Sequence, residues 1–435
     1  MHVTGIIAEY NPFHNGHRYH LEEARKKSNA DYIVIAMSGN FMQRGTPALL
    51  DKYTRTRMAL NNGADLVLEI PSVYSSGSAE YFAAGAVTLL DKLGVVDTLD
   101  FGSEWGQADE LGQIAAVLAD EPDQYKIILQ DKLRQGCTYP AARAYALNQT
   151  GLLTDCIIPA DSCNASSSCI ASDSCITSDS LTELFKMPNN ILGIEYIKCL
   201  IKRGSTIRPV TTKRMGSAYH EEQLNHNYSS AFAIREAVFA GKDLDILKEQ
   251  LPENAYDIIR EHFNSYLPVH PDDFSLLLHY KLLSEADMGY EKYIDITPAL
   301  SERIRNNLYQ FTTFHGFCDL LKTKDVTHTR ISRSLTHILL NMESDRLERC
   351  KEMDLVPYAR ILGFKKSSTG LLAAIKAKSS IPLISKLADA ERILEDRAYK
   401  MLKYDIYVAD LYNSVAAGKS RQPMRNEYST PIVML

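Results

Sequence analysis

The stretch AEYNPFHNGHRYH, residues 8–20, decides how this chain is read. It follows the apolar run VTGIIA, and Asn11-Pro12-Phe13 stops that strand, because proline has no N–H to give to a sheet ladder. His14 and His17 then flank Gly16, and RYHLEEARKK continues with a helical pattern. The order is strand, loop, helix, with His17 in the first helical turn. A helix N-terminus offers unpaired N–H groups and a partial positive charge, which suits phosphate. Gly16 lets the backbone come close to a ligand, and two imidazoles add donors for a phosphoryl oxygen as charge builds on it. Phosphoryl and nucleotidyl transfer ask mostly for such positioning and charge stabilisation. Neither Gly-x4-Gly-Lys-Ser/Thr nor Gly-x-Gly-x-x-Gly follows the first strand, so the common phosphate cradles are absent.

Outward from this loop, one theme repeats. A helix near 17–28 leads to DYIVIAM, a helix near 51–62 to DLVLEI, and a helix near 79–92 to VDTLDFG. Continuous β-branched runs alternating with helices predict an α/β fold with a parallel, doubly wound sheet covered on both faces. Ligands of such sheets gather beyond the carboxyl ends of the strands. The unusual residues stand there: NPFHNGH, SGNFMQRG, Pro71, and Gly102-Ser103-Glu104. Residues 110–150 read as helices, PNNILGIEYIKCLIKR as a helix opened by Pro188 and closed by Gly204, STIRPVTTKR as a strand, and SSAFAIREAVFAG (229–241) as a helix. Beyond about residue 242 the period is helical, apart from the short DIYVAD near 405–410. The chain is thus expected to divide into an α/β domain over 1–245 and an α-helical C-terminal domain over 246–435. Within the first, DSCNASSSCIASDSCITSDS (161–180) reads as a flexible polar insertion. Its Cys163, Cys169 and Cys175 recur every six residues, wider than the Cys-x2-Cys of zinc sites.

Composition bounds the rest. A chain of 435 residues with 45% apolar and 23% charged residues has room for two or three ordinary globular domains. No apolar run approaches the roughly 18 residues that span a bilayer, so no membrane partner is expected. The N-terminus lacks a basic, cleavable leader, and eight mostly isolated cysteines fit reduced thiols, so the expected location is cytoplasmic. A net charge of −6 neither advertises nucleic-acid binding nor excludes it, since local basic patches decide that. His315, His328 and His337 are scattered without metal-ligand spacing and read as surface or core histidines; no metal site is expected.

Asn11-Pro12-Phe13-His14-Asn15-Gly16-His17 resembles the His-x-Gly-His signature of the nucleotidyltransferase superfamily, whose Rossmann-like domains bind ATP. EYNPFHNGHRYH, MSGNFMQRGTPA, GADLVLEIP, FGSE, PNNILGIEYI and TTKR fall in the order and rough spacing of one bacterial family, the tRNA(Met) cytidine acetate ligases. The resemblance implies that acetate is activated with ATP to acetyl-adenylate, and that the acetyl group passes to the wobble cytidine of elongator tRNA(Met), giving N4-acetylcytidine. It makes His14 and His17 catalytic. It places ATP on Ile7, Ala8, Glu9, Tyr10, Asn11, Pro12, Phe13, His14, Asn15, Gly16, His17, Arg18, Tyr19 and His20, and on Gly102, Asn189 and Arg214. Read alone, Gly102 is equally a turn glycine, Asn189 a helix cap, and Arg214 a solvated partner of Lys213.

Ser38, Gly39, Asn40, Gln43 and Arg44 at the second strand end are candidates for an acetate pocket. The neighbouring Asp51, Lys52, Arg55 and Arg57 are spaced as plain helix-face pairs would be. Magnesium is implied by ATP chemistry rather than by a ligand set. Candidate tRNA contacts are Lys198, Lys202, Arg203, Arg208 and Lys213 before the domain boundary, and beyond it Lys322, Lys324, Arg330 and Arg333 in KTKDVTHTRISR, Arg360, Lys365 and Lys366 in ARILGFKK, and Lys376 and Lys378. Ser229-Ser230 and Ile234-Arg235 stand where the superfamily has a late phosphate-binding helix, but Phe232 and Ala233 replace hydroxyls there. A small-molecule adenylyltransferase and a non-catalytic nucleotide- or RNA-binding protein are the alternatives, and a homo-oligomer stays open.

Overall fold

Strands and helices alternate as the apolar pattern demands. In the computed structural model, which describes residues 1–137, 139–150, 178–214 and 229–435, β1 (Val3–Ala8) leads to α1 (Asn15–Ser28) and β2 (Tyr32–Ser38) to α2 (Lys52–Asn61). β3 (Leu66–Ile70), α3 (Ala79–Lys92) and β4 (Thr98–Ser103) follow. Helices Ala108–Asp120, Asp123–Arg134 and Tyr139–Gln149 fill the span read as helical. Residues 161–177 of the Ser/Cys-rich stretch lie outside the described residues; 178–180 open the helix Ser178–Leu184. α4 (Pro188–Arg203) starts on Pro188 and ends at left-handed Gly204, and β5 (Arg208–Lys213) comes next. Then come α5 (Ala231–Phe239), α6 (Glu253–Phe263), α7 (Phe314–Leu321), α8 (His328–Leu339), strands β6 (Ala359–Phe364) and β7 (Leu383–Ile384), α9 (Asp396–Ser420) and β8 (Val433–Met434).

The chain resolves into two compact units, Met1–Thr98 with Met215–Leu435, and Leu99–Arg214. In the first, β1, β2 and β3 pair in parallel, with Ala8 beside Met37 and Ser38 beside Ile70. β6 adds antiparallel to β3, with a bulge between Val67 and Leu68, and β7 and β8 pair in parallel with β6. The strands are buried along almost their whole length, as their unbroken apolar runs require. Gly5 lets α3 pack close on β1: a Cβ there would stand 2.9 Å from Leu90 Cδ1. A single core cluster joins Ile6, Tyr10, Phe13, Ile35 and Met58 to Ile234, Val238, Ile258 and Leu362, so α5, α6 and β6 pack on the N-terminal sheet.

Two features of the C-terminal region differ from the periodicity reading. ARILGF forms β6, a short apolar run that joins the sheet edge. DIYVAD lies inside α9, whose buried Tyr404, Asp405, Val408, Ala409 and Tyr412 recur with helical spacing; six residues were too short a window to separate the two periods. In the second unit β5 lies beside β4: Arg214 N–H donates to the Ser103 carbonyl at 3.0 Å, and Thr211 Oγ1 donates to the Phe101 carbonyl at 2.8 Å.

Candidate active site

The loop after β1 is pinned from several sides. Tyr10 takes a left-handed conformation (φ 48°), the Asn11–Pro12 bond is cis, and Tyr10 and Phe13 are buried edge-to-face at 4.9 Å. Asn11 Oδ1 accepts the Leu49 N–H at 2.8 Å, and the Asn11 carbonyl accepts Arg235 Nη1 at 2.6 Å. Asn15 donates its backbone N–H to the Gln250 carbonyl at 3.0 Å and its side-chain amide to the Glu249 carbonyl at 2.7 Å.

His14 is the N-cap of α1, and the two histidines form a reciprocal capping box. His14 Nδ1 accepts the Gly16 N–H at 3.1 Å, and His17 Nδ1 accepts the His14 N–H at 3.2 Å. With Nδ1 of each ring serving as acceptor, a neutral imidazole carries its proton on Nε2, so both rings keep an N–H donor on the side away from the cap. The rings stack at 3.7 Å, and Tyr10 meets His17 edge-on at 4.9 Å. Gly16 is required here because a Cβ would stand 2.9 Å from His14 Cε1. The space gained thus belongs to the histidine ring, a second reason for the glycine beside the close backbone approach expected above. No acidic residue sits in the first turn of α1, so its N-terminal charge is not offset within the helix. Arg18 is exposed and 3.7 Å from Glu22; Tyr19 and His20 are half-buried.

At the end of β2 an arginine ties strand ends together. Arg55, fully buried, donates from Nη1 to the Glu9 and Ser38 carbonyls (2.6 and 3.1 Å), from Nε to the Leu50 carbonyl (3.0 Å), and from Nη2 to the Gly39 carbonyl. Ser38, Gly39 and Asn40 are buried, Gln43 and Arg44 half-buried. The Gln43 N–H reaches Glu9 Oε1 at 2.7 Å. Burial raises the Glu9 carboxyl above its usual range, against the pull of that N–H and of Arg44, Arg235 and Arg55. Asn40 Oδ1 accepts the Lys52 N–H at 2.9 Å. Ser38 Oγ, Asn40 Nδ2 and Tyr10 Oη are buried without a hydrogen-bond partner among the described residues. The rest of this loop rests on α8, where Ser332 Oγ and Thr336 Oγ1 donate to the Gly45 carbonyl at 2.8 and 2.7 Å. Gly45 (φ 73°) touches the α8 backbone so closely that a Cβ would lie 2.3 Å from Arg333 Cα. Lys322 and Lys324 are exposed and Arg330 half-buried on the α7–α8 connection and the start of α8; Lys365 and Lys366 follow β6. Arg360 and Lys198, read from the sequence as RNA contacts, are instead buried, Arg360 against Glu69 and Glu427 and Lys198 against Glu195, so neither offers its charge at the surface.

The second unit gathers its own three candidates around the end of β4. Asn189 Nδ2 donates to Glu104 Oε1 at 2.5 Å, and the Asn190 N–H to Glu104 Oε2 at 3.1 Å, so Glu104 receives the first turn of α4. Met187, not Asn189, is the N-cap. Asn190, fully buried, accepts the Trp105 N–H at 3.0 Å. Arg214 is exposed, and its side chain runs over Gly102, where a Cβ would be 3.4 Å from Arg214 Cγ.

Arg55 and Gln250 were not singled out as site-forming residues by sequence reasoning, and Glu104 stood out only by its place at the end of the fourth strand. Arg55 left one signal, a charge among the apolar-face positions of α2 beside Met58 and Ala59. Lys52 likewise is no helix-face pair: it is fully buried, and its ammonium meets Glu69 and Glu427. Arg57 does pair at the surface, with Glu261 at 2.8 Å.

A capped pair of imidazoles at the mouth of a parallel sheet defines a class, and residues 1–427 match the family model described as HIGH Nucleotidyl Transferase. A tRNA(Met) cytidine acetate ligase of Acetivibrio thermocellus is 37% identical over 439 residues, covering 100% of both chains. Another, of Clostridium novyi, is 39% identical over 415 residues, covering 95% of this chain and 96% of that one. The apo crystal structure of Thermotoga maritima TmcAL matches with a TM-score of 0.89 at 30% identity over 100% of both chains. The same protein bound with alpha-thio ATP matches at 0.87. The chain belongs to the tRNA(Met) cytidine acetate ligase family.

Proposed function

We propose that this protein activates acetate with ATP and acetylates N4 of the wobble cytidine of elongator tRNA(Met), in the cytoplasm. An acetate oxygen attacks the α-phosphorus, the bond to the β-phosphate breaks, and pyrophosphate leaves. The cytidine amine then attacks the acetyl carbon, loses a proton, and AMP departs. The observation that carries this reading is the stacked His14–His17 pair, held by its own capping box at an N-terminus free of acidic side chains in its first turn. Donors fixed before the reaction need no reorganisation when charge moves onto the α-phosphoryl oxygens. Arg55 and Arg235 act behind them by holding the loop carbonyls of Glu9 and Asn11.

Ser38 and Asn40 are proposed to receive acetate, since each carries a buried donor atom that meets no partner among the described residues. Gly102, Asn189 and Arg214 are proposed nucleotide contacts on their residue types. Lys322, Lys324, Arg330, Lys365 and Lys366 are proposed phosphate contacts for the tRNA, and the α8 seat under Gly45 joins the first of these segments to the β2-end loop. Among the described residues no carboxylate cluster of metal-ligand geometry stands near the histidine pair. Mg2+ would arrive with the nucleotide on its phosphates and supply charge neutralisation there.

Incubation with labelled acetate, ATP and bulk tRNA tests the whole reading, with label expected in tRNA. Acetate-dependent ATP–pyrophosphate exchange tests its first half. His14→Ala and His17→Ala should each lower that exchange roughly 10²–10³-fold while circular dichroism is unchanged. Full exchange in either variant removes that ring from the chemistry. Exchange driven by another acid or alcohol, without tRNA labelling, would point instead to a small-molecule adenylyltransferase.

A further inference from the structure

The connection between α7 and α8 brings together three side chains that the sequence keeps apart. His315 and Asp319 stand one turn apart on α7, and His328 is the first residue of α8, after its N-cap Thr327. Asp319 spans the gap, with Oδ2 3.6 Å from His315 Nε2 and Oδ1 3.6 Å from His328 Nε2. The two rings lie 5.1 Å apart, and one ligand atom from each of the three residues lies within 4.8 Å of the others. These separations exceed hydrogen-bond length, so the three groups face one another without bonding. They approach the ligand–ligand spacing of about 3.3 Å that a tetrahedral ion with roughly 2.0 Å bonds imposes. His328 Nε2 is buried and meets no hydrogen-bond partner among the described residues.

We propose that His315, Asp319 and His328 bind one divalent transition-metal ion, with Zn2+ the reference case, and a water in the fourth position. Two imidazoles and one carboxylate are the ligand set that zinc shares with cobalt and nickel and that magnesium avoids. The local charge permits it. Asp319 is the only carboxylate of the three, and Asp272 approaches the same turn by accepting the His315 N–H at 2.7 Å; Lys322 opposes them. His315 and Asp319 are well exposed, at 60% and 59%, so ions enter freely and small side-chain rotations close the geometry. Bound there, the ion would fasten the end of one helix to the start of the next and shorten the free span of 322–327.

The test uses the untagged full chain, stripped with chelator and titrated with Zn2+ by calorimetry. One equivalent is expected to bind and to raise the Tm, and Co2+ should give the visible absorption of a four-coordinate ion. His315→Ala, Asp319→Asn and His328→Ala should each weaken Zn2+ binding at least tenfold and remove the Tm rise. The exposed positions 315 and 319 leave the fold intact, which circular dichroism verifies, so loss of folding at 328 would not obscure the result. No stoichiometric binding to the wild-type chain, or binding unchanged in His315→Ala and Asp319→Asn, overturns the site.

Discussion

Two regions of the first unit bury polar groups around the same sheet, and they do so differently. Around β3 and β6 every charge faces an opposite one. Lys52 Nζ lies 2.8 Å from both Glu69 Oε1 and Glu427 Oε2, while Arg360 lies 3.0 Å from Glu69 Oε2 and 2.5 Å from Glu427 Oε2. Two cations and two anions balance. At the ends of β1 and β2, by contrast, Tyr10 Oη, Ser38 Oγ and Asn40 Nδ2 are buried and meet no partner among the described residues. Desolvation penalises both arrangements. In the first the chain supplies its own compensation, so the cluster serves the fold. In the second the side chains leave the compensation to water or to a ligand, so this is where a bound group gains hydrogen bonds without breaking any the chain makes.

Breaking the balance should have the largest effect. Arg360→Leu leaves Glu69 and Glu427 buried with Lys52 as their shared cation, and the expected loss is about 3–5 kcal/mol of folding stability, read from urea unfolding. Burial alone would raise Glu427, but Lys52 and Arg360 outweigh it and draw its carboxyl down to about 2, which shows how much that charge depends on its cations. A loss below about 1 kcal/mol would mean that this cluster holds nothing.

Asp405 sharpens the comparison by a smaller amount. It accepts the Ser72 N–H at 2.7 Å and the Tyr358 hydroxyl, and no ion pair reaches it among the described residues. Burial, and then the charge of Glu69, raise its carboxyl to about 6. In the unfolded chain the same group titrates near about 3.9. The native state therefore binds this proton more tightly. Its contribution is fully present below the unfolded value and is lost as pH rises through about 6. Asp405→Asn keeps an acceptor for Ser72 and cannot ionise. Relative to wild type, the variant should improve by roughly 2–3 kcal/mol between about pH 4 and pH 7.5. A difference that stays flat over that range would show that Asp405 does not titrate there.

Local pattern made much of this legible. β1 to β4 and the helices between them follow from unbroken apolar runs and helical spacing, and Pro188 and Gly204 bound α4 as proline and glycine should. The His-x-Gly-His loop stood out because two imidazoles and a glycine at a strand end have few structural uses. What stayed hidden depends on contacts between distant residues. Arg55 reads as a surface charge until α2 buries it against the carbonyls of β1 and β2. β6 pairs with β3 across almost three hundred residues, beyond any periodicity, and the meeting of His315 with His328 needs the turn between α7 and α8. Gly16 was noticed for the right residue type, but the ring that needs its missing Cβ is visible only in three dimensions.

The smallest change tests the other side of the comparison. Ser38→Ala removes a buried hydroxyl that bonds to nothing among the described residues, so its stability cost should be under about 1 kcal/mol, and a slight gain is consistent with the desolvation penalty it relieves. A structural hydroxyl would behave in the opposite way. If that oxygen instead receives the carboxylate of acetate, the same substitution should raise the KM for acetate roughly tenfold in pyrophosphate exchange, with the KM for ATP unchanged. Asn40→Ala is a poorer probe, because its Oδ1 also holds the Lys52 N–H at the head of α2 and its loss mixes folding with binding. Ser38 has no such second duty in its side chain. A Ser38→Ala enzyme with wild-type acetate KM would take the acetate pocket away from the end of β2, while leaving the histidine pair and its capping box untouched.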